Sequence, residues 1–442
     1  MKRSWTSCTV ALAILAGVAA GGESGRLAAS KEPGWPQWRG ARRDGICDEK
    51  GLLRAWPEGG PRLLWSAGGL GRGWSSPIVV NDTLYVTGDV GEELHIFALD
   101  LAGKVKWQAV NGRSWKRSYP GARGSCTYSE GRIYHINAHN RIVCLDAGSG
   151  KELWAVDLME RFEGRNITWA IAHHPLVDGS RVIVTPGGKK AMLAALDKTT
   201  GQTVWASEPL LFERTEKFGG QALDKPLREA DGPSYASPIL FELGGRRHLV
   251  NCSTRHVFGA DADTGKLLWH LPMPTRWEVV SNTPVLYKDG IFVTAPHGQD
   301  GMLIRLKVQA DRVGTEVPWR TDMDACHGGI VAVGDVLFGS WYGGQGAFGC
   351  LDATTGKTLH QTKELSMGSM IWADGRLYYL AQRGEMALID TESKDFRIVS
   401  RFPFPGGDDR KRNDVWAHPV ILDGRLYLRH HEKLACYEIK AR

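Results

Sequence analysis

The chain contains no CxxC, no CxxCH and no two adjacent cysteines. That excludes zinc ribbons, thioredoxin-type redox chemistry and covalent attachment of a c-type haem. Of its eight cysteines, Cys8 lies in a leader-like segment, and seven remain: Cys47, Cys126, Cys144, Cys252, Cys326, Cys350 and Cys436. An odd number cannot all pair within the chain. HExxH is missing and so is GxSxG, which argues against a zinc hydrolase and a hydrolase elbow. His135 and His139, four apart in a strand-and-turn context, would sit roughly 13 Å apart, too far for one ion; no metal ligands are assigned. Charge of one sign is also scarce: 55 basic side chains stand against 49 acidic ones, a net +6 without a Lys/Arg stripe. No nucleic-acid partner is expected from such a surface.

Long apolar runs are absent after the first twenty residues, so no transmembrane segment is expected. The one early run is VALAILAGVAA at 10–20, preceded by Lys2 and Arg3 and ending in the small residues Val18, Ala19 and Ala20. This pattern predicts a cleaved signal peptide at 1–20 and a periplasmic or secreted protein. No cysteine stands at the cleavage point, so a lipid anchor is not expected.

What the chain has in abundance is a repeated cassette. DADTGKLLW at 261–269 returns as DAGSGKELW at 146–154, DKTTGQTVW at 197–205, DLAGKVKW at 100–107 and DATTGKTLH at 352–360. A period of about 40 to 50 residues marks a repeat architecture. Each cassette follows a short apolar run and reads as strand, tight turn, strand: Gly supplies a positive φ, and Asp or Thr bonds nearby backbone. The returning strand ends in a large anchor. Trp65, Trp107, Trp154, Trp205, Trp269 and Trp319 are accordingly read as structural docking residues. Cys144, Cys350 and Cys436 share the column of Ala98, Ala195, Gly259 and Leu388, as small core-strand residues.

Eight units open near Ser75, Ser125, His173, Ala236, Thr283, Gly328, Ser369 and Ala417, each with an apolar run and a turn. The eighth lacks a returning strand, while PRLLW, ending at Trp65, is a returning strand without a partner. These ends complete each other. The expected fold is all-β: an eight-bladed β-propeller of four-stranded antiparallel blades, about 48 residues each, closed by pairing an N-terminal strand with the C-terminal blade. An open β-solenoid is the alternative, but it gives no reason for complementary ends. The expected organisation is a linker and N-terminal arm at 21–60, containing GWPQWRGARRDGI, and the propeller at 61–442. Residues 207–234 form a charged, partly helix-compatible insertion, and unit five carries RLKVQADRVGTEVPW in place of the cassette.

In a propeller the first strand of each blade lines the central channel, so residues before each opening gather at one mouth. Around the ring these are Trp74, Arg123, Trp169 with His173, Tyr235, Asn282, His327, Met370, and Trp416 with His418. A ring so rich in aromatic and imidazole groups suits a planar ligand, a peptide or a sugar.

The cassettes, with WPQWRG, LVDGSRVIVTPGG, CHGGIV and WAHPVILDGRLYLR, resemble the tryptophan-docking repeats of the quinoprotein (PQQ-binding-like) β-propeller superfamily, including exported bacterial PQQ-like and BamB-like propellers. That resemblance implies either of two lives. Some members are PQQ-dependent alcohol dehydrogenases, with an adjacent-cysteine disulfide, a calcium site and an Asp base; others, like BamB, bind partners and carry no cofactor. With no Cys-Cys pair, the expectation is a non-catalytic scaffold of the bacterial cell envelope, binding a protein partner or a small ligand at the channel mouth, with no cofactor and no catalytic residue assigned. The alternative is a divergent quinoprotein oxidoreductase, Trp169 or Trp416 stacking on PQQ, His173, His327 or His418 near its carbonyls, and calcium alongside. Carbohydrate binding through the aromatic mouth is the third.

Overall fold

Each cassette aspartate closes a turn with its own carboxylate. Asp146 Oδ1 accepts from Ser149 N and Oγ, Asp197 Oδ1 from the backbone and hydroxyls of Thr199 and Thr200, and Asp261 and Asp352 from the two residues that follow at matching positions. These bonds hold the Asp197 carboxyl near 2, below the usual carboxylate range. The glycine that follows takes φ between +71° and +83° in the cassettes of Gly103, Gly150, Gly201, Gly265 and Gly356. The returning strand then pairs with a bulge, leaving a small residue opposite five of the six anchors: Ala98 opposite Trp107, Cys144 opposite Trp154, Ala195 opposite Trp205, Gly259 opposite Trp269 and Cys436 opposite Trp65, while Trp319 faces Leu303.

In this computed structural model, which describes residues 24–310, 312–343, 346–393, 395–404 and 414–441, these hairpins build eight four-stranded antiparallel blades. The signal peptide expected at 1–20 lies outside the described residues. Blade 1 runs Ile78–Val80, Thr83–Val90, Glu93–Asp100 and Val105–Arg113 from the axis outward. Blades 2 to 7 follow in sequence order. Blade 8 takes Val420–Leu422, Arg425–His430 and Lys433–Glu438 from the C-terminal end and its outer strand, Arg62–Ala67, from the N-terminal side. Arg62 pairs with Glu438 and Ala67 with Leu434, so the ring closes by the expected strand exchange. The one helix among the described residues is the short Leu158–Phe162, capped by Asp157.

The blades are fastened by tryptophan on glycine. A Cβ placed on Gly103, Gly150, Gly201, Gly265 or Gly356 would lie only 2.3 to 2.7 Å from the indole of Trp65, Trp107, Trp154, Trp205 or Trp319 respectively. Every one of these pairs joins an outer strand to the next blade's turn. Three indoles also donate across the junction, Trp65 to Leu101 O (2.8 Å), Trp107 to Ala147 O (3.1 Å) and Trp154 to Lys198 O (3.1 Å). Trp269 differs because blade 5 has no cassette to receive it: its indole packs on Gly259 of its own blade. Blade 5 instead ends in a long hairpin, Asp300–Val308 with Val313–Thr321.

The insertion forms no helix. Leu211–Glu216 and Ala222–Ala230 pair as an antiparallel ribbon, with Arg214 bonded across it to Glu229 at 2.8 Å. The N-terminal arm threads the channel and bonds to every blade. Gly25 N donates to Lys288 O, Arg26–Leu27 adds to the inner strand of blade 4, Trp35 pairs with Val79 and Pro36 O accepts from Tyr128 N. Arg39 reaches Ile330 O; Arg43 reaches His174, Pro175 and Pro238 carbonyls; Ile46–Cys47 runs parallel to the inner strand of blade 7; Leu53 N reaches Ile439 O. Both arginines are buried, and desolvation lowers Arg39 to about 10 and Arg43 to about 9, still cationic at neutral pH.

The tryptophan-glycine contact separates cleanly from turn strain. Gly131 and Gly150 share nearly the same φ, +76° and +73°, but a Cβ on Gly131 meets nothing within 4 Å. Gly131→Ala should cost about 1 kcal/mol through backbone strain alone. Gly150→Ala should cost roughly 1–3 kcal/mol more, the price of overpacking against Trp107. Urea midpoints of the two variants measure the difference; equal midpoints would mean that the docking contact adds nothing.

Candidate functional site

Each inner strand is preceded by an extended segment, so side chains alternate between the channel and the blade interior. This parity decides who reaches the mouth. Trp74 with Ser76, Ala172 with His174, Val279 with Ser281, and Trp416 with His418 are pairs two apart, and all eight residues line one cavity of about 220 Å³. Arg123, Trp169, Tyr235 and His327 line it too. His173, of the opposite parity, does not line it: it is buried beside the cavity wall, and His174 takes the place expected for it. Asn282 is also turned away, its amide donating to Ala325 O (2.7 Å) and its oxygen accepting from Gly329 N (2.9 Å), a tie between blades 5 and 6. Met370 is buried in the packing between blades 6 and 7.

Sequence reasoning missed the floor. Trp38, from the WPQWRG stretch of the arm, stacks on His174 (centroids 4.5 Å apart, planes 10°) and meets His418 edge-on (5.2 Å, 69°). The channel is therefore stopped beneath the mouth. The motif was visible, but no local pattern says that an arm enters a channel. Tyr119, His297, Cys326 and Tyr342 were missed as well, because they come from loops rather than strand openings. Phe218, at the tip of the inserted ribbon, leans on Trp169 (6.2 Å) and Trp277 (5.2 Å), bringing the insertion to the rim.

Trp416 is sandwiched between His327 (4.4 Å, 11°) and Trp74 (4.3 Å, 29°), with Tyr119 at 5.2 Å. Its two faces are occupied. Stacking a quinone or a sugar on Trp416 would require one neighbour to leave, which puts Trp169 ahead of it as a ring platform.

The imidazoles are held neutral. Burial pushes His418 down to about 3 and His327 to about 4, and His174 lies well below the ordinary histidine value for the same reason, with Arg43 adding to it. Cys326, 3.5 Å from His327 Nε2, is pushed up to about 12 by burial, so it is a thiol and not a nucleophile. Arg123 is lowered by burial to about 10 and stays charged. Among the described residues, no carboxylate and no lysine lines the cavity.

That inventory tests the cofactor which the alternative requires. Pyrroloquinoline quinone is a planar tricarboxylate that works with a hard divalent cation and a carboxylate base. The cavity offers one guanidinium for three carboxylates and no oxygen-rich cluster. Among the described residues, no group of three or more His, Cys, Asp or Glu is placed to hold a metal ion, and the seven described cysteines are free and buried. The residues present do not fit the quinone with calcium, and no oxidation step is derived from them.

Comparison with known proteins places the chain between two functional types. The family model described as outer membrane protein assembly factor BamB matches residues 96–341, more than half of the chain. The lanthanide-dependent methanol dehydrogenase of Methylacidiphilum fumariolicum is 33% identical over 160 residues, covering 33% of this chain and 25% of that enzyme. The outer membrane protein assembly factor BamB of Yersinia pestis is 24% identical over 272 residues, 59% of this chain and 61% of that protein. The matches thus span from a quarter to about three fifths of these relatives. Two solved structures share the fold: BamB from Moraxella catarrhalis (TM-score 0.59, 14% identity, 86% of this chain, 100% of that one) and the quinohemoprotein alcohol dehydrogenase of Comamonas testosteroni (0.60, 12%, 93% and 81%).

The buried imidazoles make stability pH-dependent in a known direction. His418 is 6% exposed, and its folded value near 3 lies below the unfolded 6.5. Between those values the unfolded chain takes a proton that the folded chain refuses. Its stabilising contribution is full above pH 6.5 and is lost as pH falls towards 3. At pH 5 the loss from His418 reaches about 2 kcal/mol at most. Asp89, raised by burial to about 6, acts in the opposite sense. His418→Gln should therefore shrink the stability difference between pH 7.5 and pH 5 in urea titrations, and an unchanged difference would show that His418 is not buried neutral.

Proposed function

The chain belongs to the PQQ-like propeller superfamily, in the family described as outer membrane protein assembly factor BamB, and on that premise we propose that it is an exported, non-catalytic binding propeller of the cell envelope whose channel mouth holds a small ring-bearing ligand. One observation carries this reading. The mouth is a floored recess walled by Trp38, Trp74, Trp169, Tyr235 and Trp416 and by neutral imidazoles, with Arg123 the single charged group among the described residues that line it. Such a lining buries apolar rings and orients them with a few polar atoms, as small-molecule sites do. Among the described residues, neither a carboxylate base nor a set of hard-cation ligands, which alcohol oxidation needs, lines it. A purely protein-docking mouth would have no use for a floor set below the rim.

Export rests on the leader-like sequence at 1–20. No helix among the described residues is long and apolar enough to cross a membrane. An envelope protein as partner is compatible with the BamB relatives, and it would meet the rim and the inserted ribbon rather than the recess.

The reading is tested by adding PQQ with calcium to the purified full chain. We expect no alcohol-dependent dye reduction. Saturable tryptophan quenching by PQQ together with dye reduction would replace the binding reading with an oxidoreductase.

A further inference from the structure

We propose that the mouth selects a small ring-bearing monocarboxylate, with the carboxylate on Arg123 and the ring against Trp169 and Tyr235. This rests on the binding reading above and adds the chemical class of the ligand.

The first argument is charge. Arg123 is fixed before any ligand arrives: Nη1 donates to Gly121 O (2.6 Å), and Nη2 donates to Ser118 O (3.2 Å) and Tyr119 O (2.6 Å). Its guanidinium also lies 5.7 Å from the Trp115 ring centre. Three of its five N–H groups are thus spent on the backbone and two are left. Asp89 attracts it through space, but that carboxylate accepts from Trp115 N (2.9 Å), and no ion pair within 4 Å joins the two among the described residues. A desolvated cation with no ion-pair partner within 4 Å among the described residues favours an anionic ligand group.

The second argument is the donor balance. Trp74 Nε1 and Trp416 Nε1 are buried with no partner, and an indole N–H can only donate. At His174 the Ser237 hydroxyl accepts the backbone N–H (2.9 Å) and lies 2.9 Å from Nδ1. His327 and His418 leave Nδ1 without a partner, and these are neutral sites. An ammonium ligand would find no carboxylate in the lining and one fixed cation. A carboxylate oxygen would find the two unspent N–H groups of Arg123.

The third argument is number and size. One guanidinium balances one carboxylate, and each additional anionic group would be desolvated against aromatic rings without compensation. A recess of about 220 Å³ suits one or two rings. Since the faces of Trp416 are covered, ring contact falls to Trp169, Tyr235 and the overhanging Phe218.

The test compares 1-naphthoate, 1-naphthamide and 1-naphthylmethylammonium by calorimetry with the full chain. The acid should bind about tenfold or more tightly than the amide, and the ammonium should be weakest. Arg123→Gln should abolish the preference for the acid over the amide. Because Arg123 also braces its loop, Trp169→Ala is the companion variant, and it should weaken acid and amide alike. Equal affinity for acid and amide in the unaltered protein, or a preference for the ammonium, would overturn the proposed ligand class while leaving a binding mouth in place. Failure of all three compounds to bind would overturn the binding reading itself.

Discussion

The ring depends on one repeated contact, a tryptophan at the end of an outer strand lying flat on the glycine of the next blade's turn. Both halves are needed. Glycine supplies a backbone conformation that other residues reach only with strain and a surface without a Cβ, so the indole can close on the peptide itself. A bulge accompanies each of these tryptophans, and a small residue stands opposite Trp65, Trp107, Trp154 and Trp205. Trp269 shows what happens when the receiving turn is missing. With no cassette in blade 5 it folds back on Gly259, and the blade 4 to blade 5 junction is held by a shared apolar cluster including Val250, Ile291 and Ile304.

The second constraint is the arm. A ring of eight blades leaves an axial opening, and this chain fills it with its own residues 24–60, hydrogen-bonded to all eight blades. Arg39 and Arg43 are buried there: Arg39 ties the arm to itself through the Arg43 and Asp44 carbonyls and to blade 6 through Ile330 O, and Arg43 reaches carbonyls of blades 3 and 4. These bonds offset part of the cost of burying two guanidinium groups and make the arm a hub. The hub also makes the site: Trp38 is at once a hub residue and the floor on which His174 and His418 rest. Structural closure and ligand recess therefore come from the same segment.

How much of this could be read in the chain varies by element. The cassettes gave the repeat, the blade count and the closing strand because their signals are local: a turn aspartate, a positive-φ glycine, an apolar pair and a tryptophan. Trp74, Arg123, Trp169, Tyr235, His327, Trp416 and His418 could be placed at one mouth because they stand at equivalent offsets before each opening. The errors came where a single residue of offset matters. His173 and His174 differ by one pleat, and only the paired strand settles which of them faces the axis. Asn282 has the right offset but is claimed by two backbone groups of the neighbouring blade. The insertion read as partly helical because its charges suit a helix surface, yet cross-strand pairing of Arg214 with Glu229 fixes a ribbon.

By itself the sequence determined the all-β ring, its eight units and its seam, since each is written in short-range periodicity and repeated often enough to be unambiguous. Tertiary structure alone decided that the arm enters the channel, that Trp38 floors the mouth, that Trp416 is already sandwiched, and that the described lining of the recess holds one cation and no carboxylate. Those facts depend on contacts between residues far apart in the chain, such as Trp38 with His418 or Trp74 with Trp416. No local pattern encodes them. They exist only once eight blades have closed around the arm.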